Sequence, residues 1–448
     1  MIQESDISYP ALLALRKLHE NNKEAYIVGG AVRDILMHKK PHDFDIAASS
    51  TPEETLKIFS EFKTYETGIK FGTITVIIES MPIEITTFRT DGEYLNNRQP
   101  EKIKFSKNLK DDLLRRDFTI NALCYSPKSG LIDLFGGKKD IEDKIIRTVG
   151  DPDKRFNEDA LRILRALRFS SALSFSIEDS TKKAIYKNKN LLLNISSERI
   201  REEFNRILSG ENADGVLSLY RDIIAVFIPE IITCFDFEQK NPHHVYDLYT
   251  HMLKALKASE NDLTVRLAVF FHDIAKPICF TCDQNRIRHY KNHAELGAKL
   301  AEDILKRLKY SSKTIKNVST LIKYHDTDIA PEKPEVKKYL NLLGKELLKK
   351  LFSIKTADCL AKPGASKKWY DDTVSARRLM EKIIKGNECC CLKDLELKGD
   401  DLLKSGIKEK NIGKILNEVL NQVIYERLEN KKSVLLKYAL SYAEKITS

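Results

Sequence analysis

The chain has 448 residues, of which 42% are hydrophobic and 31% are Asp, Glu, Lys or Arg. That length exceeds what one hydrophobic core usually serves, and the composition excludes collagen-like, mucin-like and wholly disordered chains. The 75 Lys and Arg against 65 Asp and Glu leave a net charge of +10, which fits either a polyanionic partner or a solvated lysine-rich surface. The most apolar stretches, around residues 223–235 and 263–271, are broken by charge or proline, so no membrane segment is expected, and the N-terminus lacks a signal-peptide pattern. Eight cysteines include a lone CxxC (Cys279, Cys282) and the run Cys389, Cys390, Cys391. Neither supplies the four ligands of a structural zinc, and a cytoplasmic protein is expected.

In chain order, the first 150 residues mix strand and helix signals. Tyr26-Ile27-Val28 is a short apolar run that ends at Gly29-Gly30, after which a helical pattern starts at Ala31. Residues 71–79 (FGTITVIIE) and 83–88 (IEITTF) are rich in β-branched side chains and read as neighbouring strands, with Met81-Pro82 as the break. Residues 89–100 (RTDGEYLNNRQP) are polar and contain glycine, the composition of a mobile loop. An apolar run at 131–135 and Gly136-Gly137 close this region. From Asp151 onward helical periodicity dominates, with helices expected over residues 156–169, 198–208, 246–257, 263–274, 294–309, 312–324, 336–362 and much of 375–448. The expected fold is α+β, a small head followed by a long all-α remainder.

Paired glycines between a strand and a helix let backbone N–H groups approach an anion where the helix dipole also favours it. Arg33, one turn into that helix, adds a charge-assisted contact for phosphate. Asp43 and Asp45, one residue apart, point the same way if they lie on a strand. Two converging carboxylates are costly without cations, and oxygen ligands beside phosphate suit Mg²⁺. Glu84, between Ile83 and Ile85, is a candidate third member of the cluster.

The order and spacing of these pieces carry a resemblance. GGAVRD…DFDIA at residues 29–47, LLRRDFTINAL at 113–123, DPDKRFNEDALRILRALRF at 151–169 and ERIREEF at 198–204 resemble the bacterial class II tRNA nucleotidyltransferases. These are the CCA-adding enzymes, relatives of bacterial poly(A) polymerase. The resemblance implies a polymerase-β-like head, a mixed sheet with helices, over residues 1–150. A helical neck that recognises the base (151–215), a helical body (216–362) and a tail that contacts tRNA (363–448) follow. It implies that Asp43 and Asp45, with Glu84, hold two Mg²⁺ ions for in-line attack of an RNA 3′-hydroxyl on the α-phosphate of ATP or CTP. Gly29, Gly30 and Arg33 would cradle the triphosphate, and Arg116, Asp117 and Asn121 would surround ribose and phosphates, Asp117 accepting from a 2′-hydroxyl.

Asp159 and Arg162 are three apart, which on one helix gives an ordinary ion pair. The resemblance instead makes them the pair that reads the Watson–Crick edge of the incoming base, with Arg165 in support. Cytosine and adenine both set an amino donor beside a ring-nitrogen acceptor, matching a carboxylate and a guanidinium; guanine and uracil invert both contacts. The loop at 89–100 is the expected switch from C to A, although Leu95-Asn96-Asn97 stand where an acidic residue is common.

Among the ten histidines, His251, His272, His293 and His325, with Asp273 and Asp358, fill an H…HD…H…H…D order that resembles the HD superfamily. Imidazole with carboxylate suits a transition metal such as Ni²⁺, Mn²⁺ or Fe²⁺, and the resemblance implies hydrolysis of phosphate ends or 2′,3′-cyclic phosphates. Adding only A, polymerising poly(A), or working mainly as an HD hydrolase with an RNA-binding head are the rival readings.

Overall fold

Seven short strands assemble around the double-glycine turn: β1 (Ala25–Val28), β2 (Asp45–Ala48), β3 (Lys63–Tyr65), β4 (Thr73–Ile78), β5 (Met81–Thr87), β6 (Leu123–Ser126) and β7 (Gly130–Asp133). Their spatial order is β7-β6-β1-β2-β5-β4-β3, and only the β2–β5 pairing is parallel. Alternation drives burial: in β5, Ile83 and Ile85 turn to the core while Pro82 and Glu84 turn to solvent. Burying each such isoleucine contributes about 1.5–3 kcal/mol, which locks the register because a one-residue slip would expose them all. The register sets Asp45 directly opposite Glu84.

The β4–β5 hairpin differs from expectation. Its turn is Glu79-Ser80, both at positive φ (48° and 67°), and Met81-Pro82 already belong to β5, with Pro82 opposite Ile77. Two consecutive residues at positive φ give the twist that a tight hairpin needs.

The computed structural model describes residues 2–91, 94–95, 99–100, 103–241, 245–362 and 367–447. The chain divides into two units, Met1–Pro229 and Glu230–Ser448. The expected loop at 89–100 falls largely outside the described residues, as do His243 and His244; of its flanks, Arg89–Asp91 pairs antiparallel with Ile103–Phe105.

In the first unit, the helix expected over 156–169 is two helices, Pro152–Glu158 and Leu161–Leu173. Asp159 between them is extended (φ −135°, ψ 103°), and its carboxylate accepts from the Leu161 N–H at 3.1 Å, an Asx turn that stops one helix and starts the next. The Ser197–Leu208 helix packs against the second of these.

The second unit is almost entirely helical. Leu248–Ala258, Leu263–Phe271, His293–Arg307, Ser312–Tyr324 and Lys333–Leu360 pack around a buried polar centre. The last of them is interrupted at Gly344 (φ 76°, ψ 163°), a left-handed conformation that glycine adopts at low cost, where sequence periodicity predicts one unbroken helix. Towards the C-terminus, Leu402, Ile415, Val419, Leu420, Leu435 and Ala439 form a separate apolar cluster. No helix among the described residues is long and apolar enough to cross a membrane.

Candidate functional sites

A cavity of about 610 Å³ in the first unit gathers Gly29, Gly30, Arg33, Asp43, Asp45, Arg116, Asp117, Asn121, Asp159, Arg162 and Arg165. It also takes in Arg115, Arg168, Phe169, Arg199 and Arg206, so eight arginines face four aspartates. Such an excess calls for a polyanionic ligand. A larger cavity of about 880 Å³ in the same unit is lined by Lys39, Lys40 and Lys138 with Asp6 and Glu142 among others; it holds no arginine and far fewer charged groups.

Asp45 opens β2, and Asp43 lies two residues before it, outside the strand. Partial desolvation by the walls of the concave site, then the negative charges of Glu84 and Asp43, push the carboxyl of Asp45, which stays solvent-exposed at the head of β2, up to about 6, with Arg116 pulling the other way. That is the signature of carboxylates crowded together in wait of a cation. Glu84 is not among the residues lining the cavity and joins the site through its register with Asp45.

Gly29 sits at φ +73°, and a Cβ there would stand 3.1 Å from Arg116 Nη1. Its own N–H donates to the Leu123 carbonyl, so Gly29 serves the turn and makes room for Arg116, while its amide is not open to an anion as the sequence suggested.

The arginines are held by a buried framework. Asp112, fully buried, accepts from Arg115 Nε (2.9 Å) and Arg116 Nη2 (3.1 Å), a counter-ion that sequence reading missed. Arg33 Nη1 donates to Asn121 Oδ1 (2.8 Å), Asn121 Nδ2 donates to Asp117 Oδ1 (3.1 Å), and Arg165 Nε donates to Asp117 Oδ2 (2.8 Å). The Phe118 N–H and Arg165 Nη2 also reach Asp117. Four donors of the chain reach the carboxylate, so Asp117 orders Asn121 and Arg165 from the wall of the cavity. Burial alone would raise its pKa, but Arg165 and Asn121 outweigh that and hold it at about 2.

Asp159 and Arg162 do not pair with each other. Asp159 Oδ2 accepts from Arg199 Nη2 at 3.0 Å, whereas Arg162 binds Glu158 (2.9 Å) and the Arg115 carbonyl (2.9 Å). Both still line the cavity. The run Arg162, Arg165, Arg168 repeats every three residues, a signal that could have revealed Arg168. Phe169 forms a platform under Arg33 (5.3 Å), Arg165 (5.6 Å) and Arg168 (4.2 Å). Burial and the neighbouring Arg165 charge lower the pKa of Arg168, although Glu203 binds it at 3.1 Å, so an anion entering the cavity relieves real repulsion.

The second unit brings all six expected metal-site residues together. His251, His272, Asp273, His293, His325 and Asp358 are buried, and their side chains come from five helices or their ends. Burial disfavours a charge on His272, but Asp273 and Asp358 outweigh it and raise its pKa to about 10. Both carboxyls are held well below the ordinary range: against the cost of burial, His272 and Lys276 act on Asp273, and Lys362 and His251 on Asp358. Lys276, Lys362 and the histidines supply the positive charge these buried carboxylates need, and the ligand atoms of His251, His272 and Asp273, and of Asp273, His293 and His325, lie close enough together to hold a metal ion.

Three family models match the chain: "Poly A polymerase head domain" over residues 25–147, "Probable RNA and SrmB- binding site of polymerase A" over 174–233, and "tRNA nucleotidyltransferase domain 2" over 292–439. The CCA-adding enzyme of Lactobacillus helveticus is 33% identical over 443 residues, 97% of each chain. That of Geobacillus thermodenitrificans is 46% identical over 220 residues, 49% of this chain and 54% of the relative. Among solved structures, the Bacillus stearothermophilus CCA-adding enzyme in complex with CTP superposes with a TM-score of 0.70 at 26% identity, covering 98% of this chain and 99% of that one. The Thermotoga maritima CCA-adding enzyme complexed with tRNA shares the fold at a TM-score of 0.59 and 20% identity, over 97% and 94% of the two chains. The α+β architecture agrees with these relatives, and the chain belongs to the bacterial CCA-adding enzyme family of tRNA nucleotidyltransferases.

Proposed function

We propose that the protein adds C, C and A to the 3′ end of tRNA from CTP and ATP without a nucleic-acid template. The observation that carries this is one cavity holding both Asp43 and Asp45 and the Asp159/Arg162 pair, with arginines between them. Asp43, Asp45 and the adjacent Glu84 are the residues that would hold Mg²⁺, and the elevated pKa of Asp45 fits such a role. When bound, divalent ions activate the 3′-hydroxyl and stabilise the leaving pyrophosphate.

The chain's own contribution is positioning and charge. Arg33 and Arg116, fixed by Asp34, Asn121 and Asp112, face the triphosphate. The Gly29-Gly30 turn leaves room for them, and Asp117 sets Asn121 and Arg165 beside the sugar. Asp159 accepts from the amino group of cytosine or adenine and Arg162 donates to the ring nitrogen; a guanine or uracil leaves buried charge unmatched, at about 1–3 kcal/mol or more per group. Residues 1–150 act as the head, 151–215 as the base-reading neck, 216–362 as the body and 363–448 as the tRNA-contacting tail.

The test supplies CTP or ATP separately to tRNA ending at the discriminator base, at C or at CC. C incorporation on the first two substrates and A on the third is expected. A on the CC end alone supports an A-adding enzyme, and long A tails on unrelated RNA support poly(A) polymerisation.

A second reading is favoured by the buried histidine–aspartate cluster: a transition-metal phosphohydrolase acting on phosphate ends or 2′,3′-cyclic phosphates. His251, His272, Asp273, His293, His325 and Asp358 would hold the metal. Release of phosphate from RNA ending in a 3′-phosphate, lost in Asp273→Ala, is the expected result.

A further inference from the structure

The larger cavity of the first unit, about 880 Å³, lies against the segment that joins two parts of the arginine-lined site. The helix Gly30–Leu36 carries Arg33, β2 starts at Asp45, and residues 37–44 connect them. His38, Lys39, Lys40, Pro41 and His42 of that connection line the larger cavity, and so does Phe44. Asp43 and Asp45, the neighbours of Phe44 on either side, line the other cavity instead. Phe44 is 5% exposed, so a shift of its ring carries the backbone of both aspartates with it.

Both ends of the connection are held. At its start a Schellman motif closes the helix: His38 takes φ 55°, its N–H donates to the Ile35 carbonyl (2.9 Å), and the Lys39 N–H donates to the Asp34 carbonyl (2.8 Å). Pro41 keeps the helix from resuming. At its end β2 is hydrogen-bonded between β1 and β5. A ligand that presses on residues 38–44 therefore acts on Arg33 at one end and on Asp43 and Asp45 at the other.

The walls define what such a ligand is. Ile7, Ile35 and Phe44, all buried, and Met81 form an apolar floor. Lys39, Lys40 and Lys138 are exposed at the rim. Lys138 has Glu142 at 3.9 Å, and the Asp6 carboxylate accepts from the Gln3 N–H at 2.8 Å. Lys39 and Lys40 make no ion pair among the described residues. Two uncompensated ammonium groups over branched aliphatic side chains suit one anionic group on an apolar body better than a chain of phosphates. The volume falls within the range of about 300–1,000 Å³ that small-molecule sites occupy.

We propose that this cavity is a second ligand site, for a small organic anion with an apolar body, and that its occupant displaces residues 38–44 and so misaligns Asp43 and Asp45. The apolar body rests on Ile35 and Phe44, and the anionic group meets Lys39 and Lys40. The binding stands on the cavity alone; its effect on catalysis rests on the nucleotidyl-transfer reading above.

The test titrates the full chain with anilinonaphthalene sulfonate, an aromatic body bearing one sulfonate, by fluorescence and calorimetry, with and without saturating CTP and Mg²⁺. One site per chain is expected, kept when CTP is present. Affinity should fall at least tenfold in the Lys39→Glu, Lys40→Glu double variant and in Met81→Trp, which fills the floor; circular dichroism checks that both fold. In C incorporation, saturating dye should lower kcat at least threefold and leave KM for CTP within twofold, and that inhibition should vanish in the lysine variant. Dye displaced by CTP, or bound equally by wild type and both variants, overturns the site, because the anion then lies among the arginines or elsewhere. Binding at the site without an effect on kcat overturns the coupling. Absence of nucleotidyl transfer in untreated protein overturns the reading of the arginine-lined site and leaves the binding result standing. Displacement of the dye by octanoate assigns an acyl occupant and displacement by indoleacetate an aromatic one, whereas displacement by inorganic phosphate alone, or by none of the three, overturns the ligand class.

Discussion

Replacing Arg165 by Met leaves the Asp117 carboxylate buried, at 7% exposure, without the guanidinium that donates to its Oδ2. Arg165 and Asn121 hold Asp117 at about 2 against an ordinary 3.8, a difference equivalent to about 2.4 kcal/mol of stability. Because the folded value lies below the unfolded one, this stability is fully present above about pH 4 and is lost as pH falls through about 2. Removing one partner of a buried pair costs about 3–5 kcal/mol. The bonds from Asn121 and the Phe118 N–H survive, so Arg165→Met should lose about 3 kcal/mol at pH 7. Urea denaturation followed by circular dichroism from pH 3 to 8 measures this in wild type, Arg165→Met, Asp117→Asn and the double variant. The cost of Arg165→Met should shrink as pH falls, because the unpartnered Asp117 then takes up a proton, and the double variant should lose less than the sum of the singles. A cost below about 1 kcal/mol at pH 7, or one equal at pH 4 and pH 7, would refute the reasoning.

Glu84→Gln removes a like charge beside Asp45, so the pH below which Mg²⁺ affinity falls, near 6 in the wild type, should move lower; a titration of Mg²⁺-dependent rate against pH shows it. Gly29→Ala should cost about 1–3 kcal/mol by thermal unfolding and raise KM for nucleotide, since φ +73° is strained for alanine and its Cβ would press Arg116. Asp112→Asn removes the buried counter-ion of Arg115 and Arg116 and should raise KM for both CTP and ATP at least tenfold. Arg199→Met frees Asp159 from its 3.0 Å partner and should relax discrimination against UTP and GTP in single-nucleotide incorporation, with little change in total rate.

Legibility in the sequence followed the range of the interaction. The β-branched runs of β4 and β5 were readable from local chemistry, whereas His251, His272, Asp273, His293, His325 and Asp358 were legible only through the resemblance of their order along the chain to the HD superfamily pattern. The register of Asp45 with Glu84 required long-range pairing, for which the composition of Glu84's strand gave only a hint. Asp159 and Arg162 misled by spacing: three residues apart implies one helical face, but an Asx turn at Asp159 breaks the helix and sends its carboxylate to Arg199, forty residues on. Asp112 was invisible because its importance lies in complete burial, and Gly344 because one positive φ leaves the helical periodicity around it intact.

The account depends most on Asp45, and its direct test is Asp45→Ala in incorporation of labelled ATP onto tRNA ending in CC, with circular dichroism as the check on folding. A loss of at least a thousandfold, with an unchanged spectrum, is the predicted result. Incorporation at a rate within tenfold of wild type would contradict the assignment of the carboxylate cluster as the site of nucleotidyl transfer.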